Sequence, residues 1–592
     1  MNPHQPQHKA IPGRPFRTLL AYNAPYKRDY LLGALLALVF VLASLVMPLV
    51  VRAVVNAFET GRITVPLLLK HFAILVLIAI VTGVGRYFQR MLMIGASRKC
   101  EYDLRNDYFR HVQRLDQGFF HRTKTGDIMA RAVNDLNQVR MFIGPGLMGS
   151  VDMVRVPYSL ALMLYLSAKL TLVAIIPMPI VSLMVYLFVM YMHRQSKRVQ
   201  EQFACVSSQV QENLAGARVV KAYGISAEEE RAFRRESASY MHESLKLAIV
   251  MNLARPLIGT MVGLTVLLVL WRGGNMVIQH ALQLGDLMGF MVCLMMLIWP
   301  LVEFGWVLTL YQRGAVSMNR ISEVFAEQPV IRNTDRTRAD IKHIEGALRF
   351  QNVSFAYAGQ EVLHDVSFEV PAGATVAVVG PTGSGKSTIV SLLTREYDPT
   401  AGAVRIDGAD ARDISLDLLR DSIGYVPQDT FLFSDTVRAN LTLGRPNATG
   451  NEIRRACEIA QFQETVDELE NGLDTLLGER GVNLSGGQKQ RLAIARAVIR
   501  DPHILVLDDA LSSVDTQTEE RILRGLKNVM ATRTSVLISH RISTVRHADE
   551  ILVLDDGRLV ERGDHDILIA QRGLYADMYR RQQLEEEIEE TS

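Results

Sequence analysis

The chain has 592 residues, of which 49% are hydrophobic, with 24 methionines and a formal net charge of +2. This length exceeds what one hydrophobic core organises, so several domains are expected. The near-neutral charge gives no indication of a nucleic-acid partner. The four cysteines form no CxxC pair and no Cys/His set, which argues against a disulfide framework or a zinc site and for a reducing compartment. They are Cys100, Cys205, Cys293 and Cys457.

A polar N-terminus, MNPHQPQHKAIPGRPFRTLL, precedes the first apolar run. That run is longer than the apolar core of a signal peptide and has no small-residue cleavage site, so we expect the segment to be retained. The residues from Pro15 to Tyr30 are predicted to form a short helix at a membrane interface.

Long apolar runs are confined to about the first 325 residues. Crossing about 30 Å of hydrocarbon takes about 20 apolar residues of helix, so the sequence predicts a membrane half followed by a soluble half. The expected division is an N-terminal segment 1–29, a transmembrane domain 30–325, a linker 326–345 and a soluble domain 346–592. Six spans are predicted, at residues 30–57, 66–87, 141–166, 170–191, 247–271 and 284–311.

The connections between the predicted spans alternate in length and charge. The long ones, 98–140 and 193–246, each contain nine Lys or Arg residues and the first 30 residues contain five, whereas the three short connections contain one each. Because Lys and Arg concentrate on the cytoplasmic side of membrane proteins, the N-terminus, both long connections and the soluble half are predicted to be cytoplasmic. Apolar residues at three- and four-residue spacing predict that the long connections are helices continuing the spans.

Some charged residues lie inside the predicted spans. A charge at membrane depth is costly and usually faces a cavity or a partner, so these residues are candidates for lining a substrate pathway. The alternative is structural: Asp152 and Arg155 would neutralise each other on one helix face, and an Arg near the interface extends its charge to the headgroups. The candidates are Arg52, Asp152, Arg155, Arg255 and Glu303.

The soluble half contains the run ATVAVVGPTGSGKSTIVSLL. A buried strand there leads into a glycine loop and a helix, which is the context that a phosphate-binding P-loop requires. Backbone N–H groups and the helix N-terminus surround the phosphates, Lys386 reaches the outer phosphates, and the Ser387 hydroxyl is offered to Mg²⁺. The residues predicted to bind ATP in this loop are Gly380, Pro381, Thr382, Gly383, Ser384, Gly385, Lys386, Ser387 and Thr388.

Two adjacent aspartates follow the short apolar run ILVL, which predicts a buried strand. The first, Asp508, stands where such folds place the acid that holds the Mg²⁺ of the nucleotide. Its neighbour Asp509 is expected to point elsewhere, toward the position of an attacking water. Between the P-loop and this strand lies LSGGQKQRLAIARA, whose Ser and Gly residues open a second helix and a second anion cradle. One P-loop domain needs only one phosphate-binding cradle, so the second cradle is explained if it faces the nucleotide of another chain.

The ordered motifs resemble those of an ABC exporter half-transporter, in which six spans are fused to one nucleotide-binding domain. The resemblance covers nearly the whole chain, and LSGGQ between a P-loop and LVLDD is highly specific for ABC ATPases. It implies an all-α six-span transmembrane domain with long cytoplasmic helical extensions, fused to an α/β P-loop domain. The run LDDALSSVD and the ending MYRRQQLEEEIEE most resemble the A subunits of the bacterial multidrug-resistance-like Mdl pairs.

The resemblance also implies roles for individual residues. Tyr357 matches the aromatic that stacks on adenine, Gln428 the Q-loop glutamine that senses Mg²⁺, and His540 the switch histidine that contacts the γ-phosphate. Glu479 matches the exporter loop that touches the partner's cytoplasmic helices. FFHRTKTGDIMARAVNDL and ENLAGARVVKAYGISAEEE resemble the two coupling segments. The signature matches Ser485, Gly486, Gly487 and Gln488, and the D-loop matches Ser512, Ser513, Val514 and Asp515.

One position departs from the family pattern, because Asp509 stands where the family usually has the Glu that positions the attacking water. The carboxylate is about 1.5 Å short, and a misplacement of about 1 Å can cost on the order of 100-fold in rate. Exporters built of two different chains often have this change in one of them. His540, which some degenerate sites lose, is retained, so residual hydrolysis at this site is expected.

These observations predict a bacterial inner-membrane subunit that pairs with a homologous half-transporter and uses ATP and Mg²⁺ to export a hydrophobic or amphipathic small molecule or lipid. Two alternatives stay open. The first is a homodimer in which Asp509 is a weak but sufficient acid, and a neighbouring gene encoding a half-transporter with "DE" after the strand would argue against it. The second is a gating subunit that binds ATP without turnover. Six spans exclude a soluble DNA-repair ATPase, and no nucleic-acid partner is expected.

Overall fold

The structure is a computed structural model that describes the backbone of residues 14–591. The chain forms two compact units. The helical unit comprises the chain up to Gln113 together with Thr125–Glu327, and the sheet unit comprises Arg114–Lys124 together with the chain from Gln328. The side chains outside the described part are those of residues 178–179, 181–182, 185–186, 189, 254–255, 258, 298–299, 301–302, 480 and 585–591.

Thirteen α-helices lie between residues 14 and 327 of the described chain. Two π-helical turns, Arg131–Asp135 and Phe142–Gly146, connect α6 to α7 and α7 to α8. The helices are α1 (Pro15–Asn23), α2 (Lys27–Ser44), α3 (Met47–Glu59), α4 (Val65–Val112), α5 (Gln117–Arg122), α6 (Thr125–Ala130), α7 (Leu136–Met141), α8 (Leu147–Asp152), α9 (Arg155–Ile175), α10 (Met178–Ala215), α11 (Ala217–Ala222), α12 (Ser226–Ile278) and α13 (Leu284–Ala326).

The predicted N-terminal helix is present as α1, followed by a single 3-10 turn before α2. Two tyrosines connect this segment to α4. The Tyr22 hydroxyl donates to Asp107 at 2.8 Å and the Tyr26 hydroxyl donates to Asp103 at 2.8 Å. Since Asp103 and Asp107 are four residues apart on one face of α4, the two bonds fix α1 along that helix.

Prolines explain why the predicted span 30–57 is not one continuous helix. Helix α2 ends at Ser44, and α3 begins at Met47 with Pro48 in its first turn. Proline cannot donate a backbone hydrogen bond, and its ring would clash with the carbonyl four residues earlier, which is that of Ser44. The helix therefore restarts at this point.

The predicted spans 141–166 and 170–191 are interrupted as well. Helix α8 ends at Asp152 and α9 begins at Arg155. Ser167, which lies between the two predicted spans, has non-helical backbone angles (φ −165°, ψ 106°), and its hydroxyl accepts from the Leu170 N–H at 3.3 Å. A further break, at Ile176 and Pro177, separates α9 from α10.

The long charged connections are helical, as the sequence predicts. Helix α4 has 48 residues and α12 has 53, so at 1.5 Å per residue they are about 70–80 Å long, more than twice the thickness of a bilayer core. Predicted spans 170–191, 247–271 and 284–311 include side chains outside the described part and stay predictions. The described stretches long and apolar enough to cross a membrane are Pro15–Glu59, Val65–Val112, Thr125–Ile175 and Gly259–Ile278, with Leu284–Leu297 a shorter apolar helix.

The sheet unit contains a four-stranded antiparallel sheet and a six-stranded sheet. Their orders are β2-β1-β4-β5 and β10-β9-β3-β8-β7-β6, and all strands of the second sheet except β10 pair in parallel. The strands are β1 (Leu348–Tyr357), β2 (Gln360–Val370), β3 (Thr375–Val379), β4 (Ala401–Ile406), β5 (Ala409–Asp410), β6 (Ile423–Val426), β7 (Ile504–Asp508), β8 (Thr534–Ile538), β9 (Glu550–Asp555) and β10 (Arg558–Gly563).

Strands β3, β7 and β8 are buried along their whole length, as expected for central parallel strands covered on both faces. Four neighbouring strands, β3, β8, β7 and β6, run in the same direction, so the loops at their carboxyl ends meet at one edge of the sheet. The helices of this unit are α5, given above, and α14 (Lys386–Leu393), α15 (Leu416–Asp421), α16 (Val437–Leu441), α17 (Gly450–Ile459), α18 (Gln463–Glu468), α19 (Gly486–Ile499), α20 (Thr516–Met530), α21 (Ile542–Val545), α22 (His565–Gln571) and α23 (Leu574–Thr591).

The segment Arg114–Lys124, which includes part of the first predicted coupling segment, belongs to the sheet unit. The Asp116 carboxylate accepts from the N–H of Phe119 and from the N–H of Val330, both at 3.2 Å. A Cβ at Gly118 would lie 3.8 Å from the ring of Tyr397. Helix α5 is therefore capped by Asp116 and lies against Tyr397.

Candidate nucleotide-binding site

The predicted P-loop connects β3 to α14, at the edge of the sheet where the parallel strands end. Gly380 has φ +149° and Gly385 has φ +97°. A Cβ at Gly380 would lie 2.0 Å from the carbonyl oxygen of Leu554, and one at Gly385 would lie 2.6 Å from the side chain of Leu363. Only glycine satisfies both the left-handed backbone and the close approach at these positions.

The Lys386 ammonium folds back over this loop and donates to the carbonyls of Gly380 and Pro381 at 2.9 and 2.8 Å. Burial lowers the pKa of Lys386. The Ser384 hydroxyl is buried and has no hydrogen-bond partner among the described residues. A buried hydroxyl without a partner is costly, and a phosphate oxygen within the loop is a suitable acceptor for it.

The two aspartates after β7 face different partners. Asp508 is 2% exposed, and its Oδ1 accepts from the Ser387 hydroxyl at 3.4 Å. Burial, and secondarily the neighbouring Asp509, raise the pKa of Asp508 to about 6. A carboxyl placed there gains from a nearby cation, because the cation offsets the lost solvation of the ionised form.

Asp509 lies in the left-handed region, with φ +47°, which Asp tolerates better than most residues. Its N–H donates to the Ile538 carbonyl at 2.8 Å, so the turn is fixed to the end of β8. Its Oδ1 accepts from the His540 N–H at 3.2 Å and lies 2.9 Å from His540 Nδ1, while its Oδ2 accepts from the Gln428 side chain at 3.5 Å. The three residues assigned to hydrolysis therefore meet at this carboxylate.

The signature residues cap their own helix. Ser485 and Gln488 form a capping box at the start of α19, with the Ser485 N–H donating to the Gln488 side chain at 2.9 Å. A Cβ at Gly487 would lie 2.9 Å from the Ser513 carbonyl oxygen, and one at Gly486 would lie 3.5 Å from the Ser513 side chain. The signature and the predicted D-loop are therefore in direct contact within one chain.

Gln490, which connects the signature helix to the D-loop, was not among the predicted site residues. Its amide nitrogen donates to the Ser512 hydroxyl at 2.9 Å, and its amide oxygen accepts from the Ser513 N–H at 2.9 Å. Gln490 is 5% exposed. A polar residue within an otherwise apolar helix face is a signal that it has a buried partner, but the identity of that partner depends on the fold.

Three other predicted residues have less defined surroundings. Tyr357 is half-buried in an aromatic cluster with Phe355 and Tyr397, at centroid distances of 4.7 and 5.3 Å, so its ring packs against the protein. Glu479 is exposed in a short 3-10 turn. Asp515 is the N-cap of α20 and accepts from the Thr518 N–H at 2.9 Å. The roles assigned to them stay predictions.

Of the charged residues in the predicted spans, Arg52 has a direct partner in the helical unit. Its guanidinium lies 2.5 Å from the carboxylate of Asp286, in the first turn of α13. This ion pair supports the structural interpretation of Arg52. The side chain of Arg255 lies outside the described residues.

Asp152 and Arg155 do not share one helix face, because the break between α8 and α9 separates them. Asp152 Oδ1 and Arg155 Nε have no hydrogen-bond partner among the described residues. The Arg155 guanidinium instead lies 5.8 Å from the ring centroid of Phe40, and that of Arg86 lies 6.0 Å from the same ring, at distances typical of cation–π contacts. A Cβ at Gly149 would lie 3.4 Å from the Glu303 carboxylate.

Comparison with known proteins identifies the class. The family described as "ABC transporter transmembrane region" matches residues 30–301, and the family described as "ABC transporter" matches residues 363–512. The chain belongs to the ABC transporter family: it is a helical transmembrane domain fused to a C-terminal ATP-binding domain, and its ATPase is coupled to transport. The predicted fold class and ATPase activity are confirmed.

Individual relatives are similar over nearly their full length. The chain is 36% identical to the "Multidrug resistance-like ATP-binding protein MdlA" of Escherichia coli, over 97% of each protein. It is 34% identical to an "ATP-dependent lipid A-core flippase" of Syntrophus aciditrophicus, covering 87% of this chain and 86% of the relative. A bacterial Atm1-family ABC exporter with ATP bound has a TM-score of 0.76 and 28% identity, covering 95% of this chain and 99% of its own. The predicted likeness to an Mdl A subunit is confirmed, and the relatives indicate a bacterial membrane protein.

Proposed function

We propose that the chain is one subunit of a heterodimeric, ATP-driven exporter and that its own ATP site is degenerate. The observation that carries this proposal is Asp509, a carboxylate one methylene shorter than the family's usual Glu. Its carboxylate lies 2.9 Å from His540 Nδ1 and accepts from the Gln428 side chain at 3.5 Å. Since a displacement of about 1 Å can cost on the order of 100-fold in rate, ATP turns over slowly at this site and mainly at the partner's.

Residues 380–388 bind the ATP phosphates, with Tyr357 at the adenine. The buried Ser384 hydroxyl and the glycine positions closed to a Cβ support this assignment. The Lys386 ammonium exchanges its bonds to Gly380 and Pro381 for bonds to phosphate oxygens, which keeps a buried cation solvated.

Mg²⁺ is proposed as the cofactor, with Ser387, Asp508 and Gln428 as the protein groups that would hold it. No cluster of three or more His, Cys, Asp or Glu side chains among the described residues could hold a metal ion. The single buried carboxylate of Asp508, with the Ser387 hydroxyl 3.4 Å from it, fits a cation that arrives with the nucleotide, since Mg²⁺ is typically bound by one or two carboxylates together with phosphates. When bound, it neutralises charge developing on the phosphates.

ABC exporters function as dimers, and the surface of this chain supports a partner. At the turn between α10 and α12, Leu214, Val219 and Tyr223 are 72%, 56% and 79% exposed. Such apolar exposure at the tip of a charged helical extension is expected of a surface that another chain covers. The signature residues Ser485–Gln488 serve the partner's ATP, the D-loop Ser512–Asp515 lies beside them, and Glu479 contacts the partner's cytoplasmic helices.

The proposed substrates are hydrophobic or amphipathic molecules, either drugs or lipids, which fits the multidrug and lipid A-core relatives. The proposed location is the bacterial inner membrane, with the N-terminus and the ATP-binding domain cytoplasmic. The proposed domains are 1–29, 30–325, 326–345 and 346–592. Asp152 and Arg155, whose Oδ1 and Nε have no hydrogen-bond partner among the described residues, remain substrate-pathway candidates together with Glu303.

In the proposed cycle, ATP held by the P-loop of one chain and the signature of the other closes the two ATP-binding domains. The coupling segments transmit that closure to the spans, and the cavity turns outward. Hydrolysis, mostly at the partner's acid, resets the transporter. This chain contributes an intact signature to the competent site and a slow site of its own.

A homodimer is the second candidate, favoured by the 2.9 Å contact between Asp509 and His540. The shortened carboxylate is thus still within hydrogen-bond distance of His540, the proposed switch histidine. In a homodimer both sites would turn over through Asp509.

Affinity purification of the full chain from its native host, followed by ATPase assays in lipid nanodiscs, separates the candidates. A co-purifying half-transporter whose own acid carries most of the turnover supports the heterodimer, and Asp509→Asn then removes the smaller share. Recovery of this chain alone, with ATPase lost in Asp509→Asn, supports the homodimer. A purified pair whose ATPase rate is unchanged both by Asp509→Asn and by neutralising the corresponding acid of the partner contradicts the assignment of these carboxylates.

A further inference from the structure

The backbone around the switch histidine is held by the C-terminal helix, through Gln582. The Gln582 amide nitrogen donates to the His540 carbonyl, and the Ile542 N–H donates to the Gln582 amide oxygen at 2.8 Å. One amide thus pairs with the backbone on both sides of Arg541, in the way that neighbouring strands pair. The Ile542 N–H is one of the free donors at the start of α21, so the Gln582 oxygen also satisfies a group that the helix itself cannot.

The position of Gln582 is fixed by the helix that carries it. Tyr575 is fully buried, and Met578 and Tyr579 pack against the same core. Together with Gln582 these residues follow the i, i+3, i+4, i+7 spacing of one helix face. The Glu561 carboxylate accepts from the N–H of Tyr575 at 3.1 Å, which anchors the start of α23. The amide is therefore presented by a helix docked over two turns.

On its other side, the same segment is attached to the D-loop by Arg541. The Arg541 guanidinium donates to the carbonyls of Ser512 and Val514, both at 3.3 Å, and is paired with Glu519. Glu519 is 3% exposed, and its other oxygen accepts from the Thr544 hydroxyl at 2.6 Å. The side chain of Arg541 is thus held by the D-loop, while the His540 carbonyl and the Ile542 N–H on either side of Arg541 are held by Gln582.

We propose that Gln582 is a positioning residue for ATP hydrolysis, which holds the His540 backbone so that the imidazole is aimed at the γ-phosphate. The His540 side chain is itself 56% exposed. Among the described residues, its ring has one hydrogen-bond contact, between Nδ1 and the Asp509 carboxylate. Fixing the backbone on both sides restricts where that exposed ring can point. The proposal rests on the proposed role of His540 in hydrolysis.

The test uses the full chain, with the partner that co-purifies with it, in lipid nanodiscs. Gln582→Met keeps the length of the side chain and removes both hydrogen bonds. Single-turnover hydrolysis at the site of this chain is expected to fall on the order of tenfold, which lies within the range that the loss of two neutral hydrogen bonds allows, while the ATP concentration that gives half the maximal rate changes less than twofold. Gln583→Met is the matched control, because Gln583 lies on the same helix and, among the described residues, its side chain donates to the Tyr579 hydroxyl of that helix.

Gln582→Glu adds a second measurement, the pH dependence of ATP turnover, which should not change if Gln582 only stabilises the fold. An ionised carboxylate accepts from the Ile542 N–H but repels the His540 carbonyl, whereas a protonated carboxyl can donate to that carbonyl. The turnover of Gln582→Glu relative to Gln582→Met is therefore expected to rise as the pH falls through the range in which the introduced carboxyl gains a proton. A ratio that is independent of pH contradicts the positioning role.

The role of His540 is tested separately by His540→Ala. If Gln582 acts through His540, the double variant His540→Ala, Gln582→Met turns over as slowly as His540→Ala alone, since residues that act through one another are not additive. Additive losses, or normal turnover in Gln582→Met while His540→Ala is impaired, overturn the inference about Gln582 alone. Normal turnover in His540→Ala overturns the proposed role of the histidine. Hydrogen exchange at the Ile542 amide reports directly whether its bond to residue 582 is lost.

Discussion

Replacing Asp508 with Asn should stabilise the nucleotide-free protein at neutral pH, although Asp508 is the proposed metal ligand. Asp508 is 2% exposed, and its pKa is raised from an ordinary value of 3.8 to about 6, mainly by burial. A raised carboxyl pKa means that the folded state prefers the neutral form. The stability supplied by that form is fully present below the unfolded pKa and is lost as the pH rises through about 6.

The expected size follows from this shift. A difference of about two pKa units corresponds to about 3 kcal/mol at a pH near 7.5, and near pH 5 about half of that cost applies. Asn is never charged and can still accept from Ser387. Asp508→Asn is therefore expected to raise the unfolding temperature of the ATP-binding domain by roughly 6–12 °C near pH 7.5, and by about half as much near pH 5.

Asp555→Asn is the matched control, because Asp555 ends β9 as Asp508 ends β7, but is exposed. Scanning calorimetry of the full-length protein without nucleotide, in nanodiscs at both pH values, measures the shifts. In the presence of ATP and Mg²⁺ the order should reverse, since the wild-type carboxylate then gains a cation and the amide does not. An Asp508→Asn variant that is less stable than the wild type near pH 7.5, or a gain that is the same at both pH values, would falsify the burial argument.

Three further predictions concern other positions. Asp509→Glu, in a pair whose partner acid has been neutralised, should raise ATP turnover by about 10- to 100-fold; unchanged turnover contradicts the shortened-acid hypothesis. Gly487→Ala should destabilise the protein by about 1–3 kcal/mol, because the new Cβ would lie 2.9 Å from the Ser513 carbonyl oxygen. Gly486→Ala should be near neutral in the same thermal assay, and equal unfolding temperatures for the two variants would contradict this reasoning. Arg52→Ala should lower stability by about 1–2 kcal/mol, because it leaves the carboxylate of Asp286 unpaired and the two side chains are only partly buried, 33% and 13% exposed. Arg52→Met, Asp286→Leu should recover part of that loss, and a transport defect at unchanged stability would instead support a substrate role.

The motifs of the ATP site could be predicted because each is local and has a fixed backbone context. A strand, a glycine loop and a helix appear together in the sequence around Gly380, and the structure has them in that order. What sequence spacing could not show is which loops become neighbours. Asp509, His540 and Gln428 meet because β7, β8 and β6 are adjacent and parallel, and this order comes from the whole sheet.

A repeated hexapeptide illustrates the same limit. ILVLDD occurs at residues 504–509 and again at 551–556, and in both copies the last Asp has a left-handed backbone, with φ +47° and +45°. In the first copy the chain continues from β7 into the D-loop, while in the second it turns back from β9 into antiparallel β10. Identical local sequence gives the same turn, and only the neighbouring strands make one copy part of the ATP site.

The membrane half was less predictable, because its apolar runs contain helix breaks that a hydropathy pattern cannot reveal. Pro48 divides the first predicted span, and a break before Arg155 divides the third. The partner of Arg52 was also missed, since Asp286 is more than 200 residues away in the sequence. Long-range pairing of this kind depends on how helices α3 and α13 pack.

The assignment of Arg114–Lys124 to the sheet unit has a practical consequence for anyone who wishes to study the ATPase alone. The polypeptide passes between the two units three times, after Gln113, after Lys124 and after Glu327, so no single cut releases a complete ATP-binding unit. A fragment starting at Gln328 would lack α5 and its cap, would leave the Val330 N–H without its Asp116 acceptor, and would expose the Tyr397 surface to water. Rates measured on such a fragment would describe a unit from which its own eleven-residue insert has been removed.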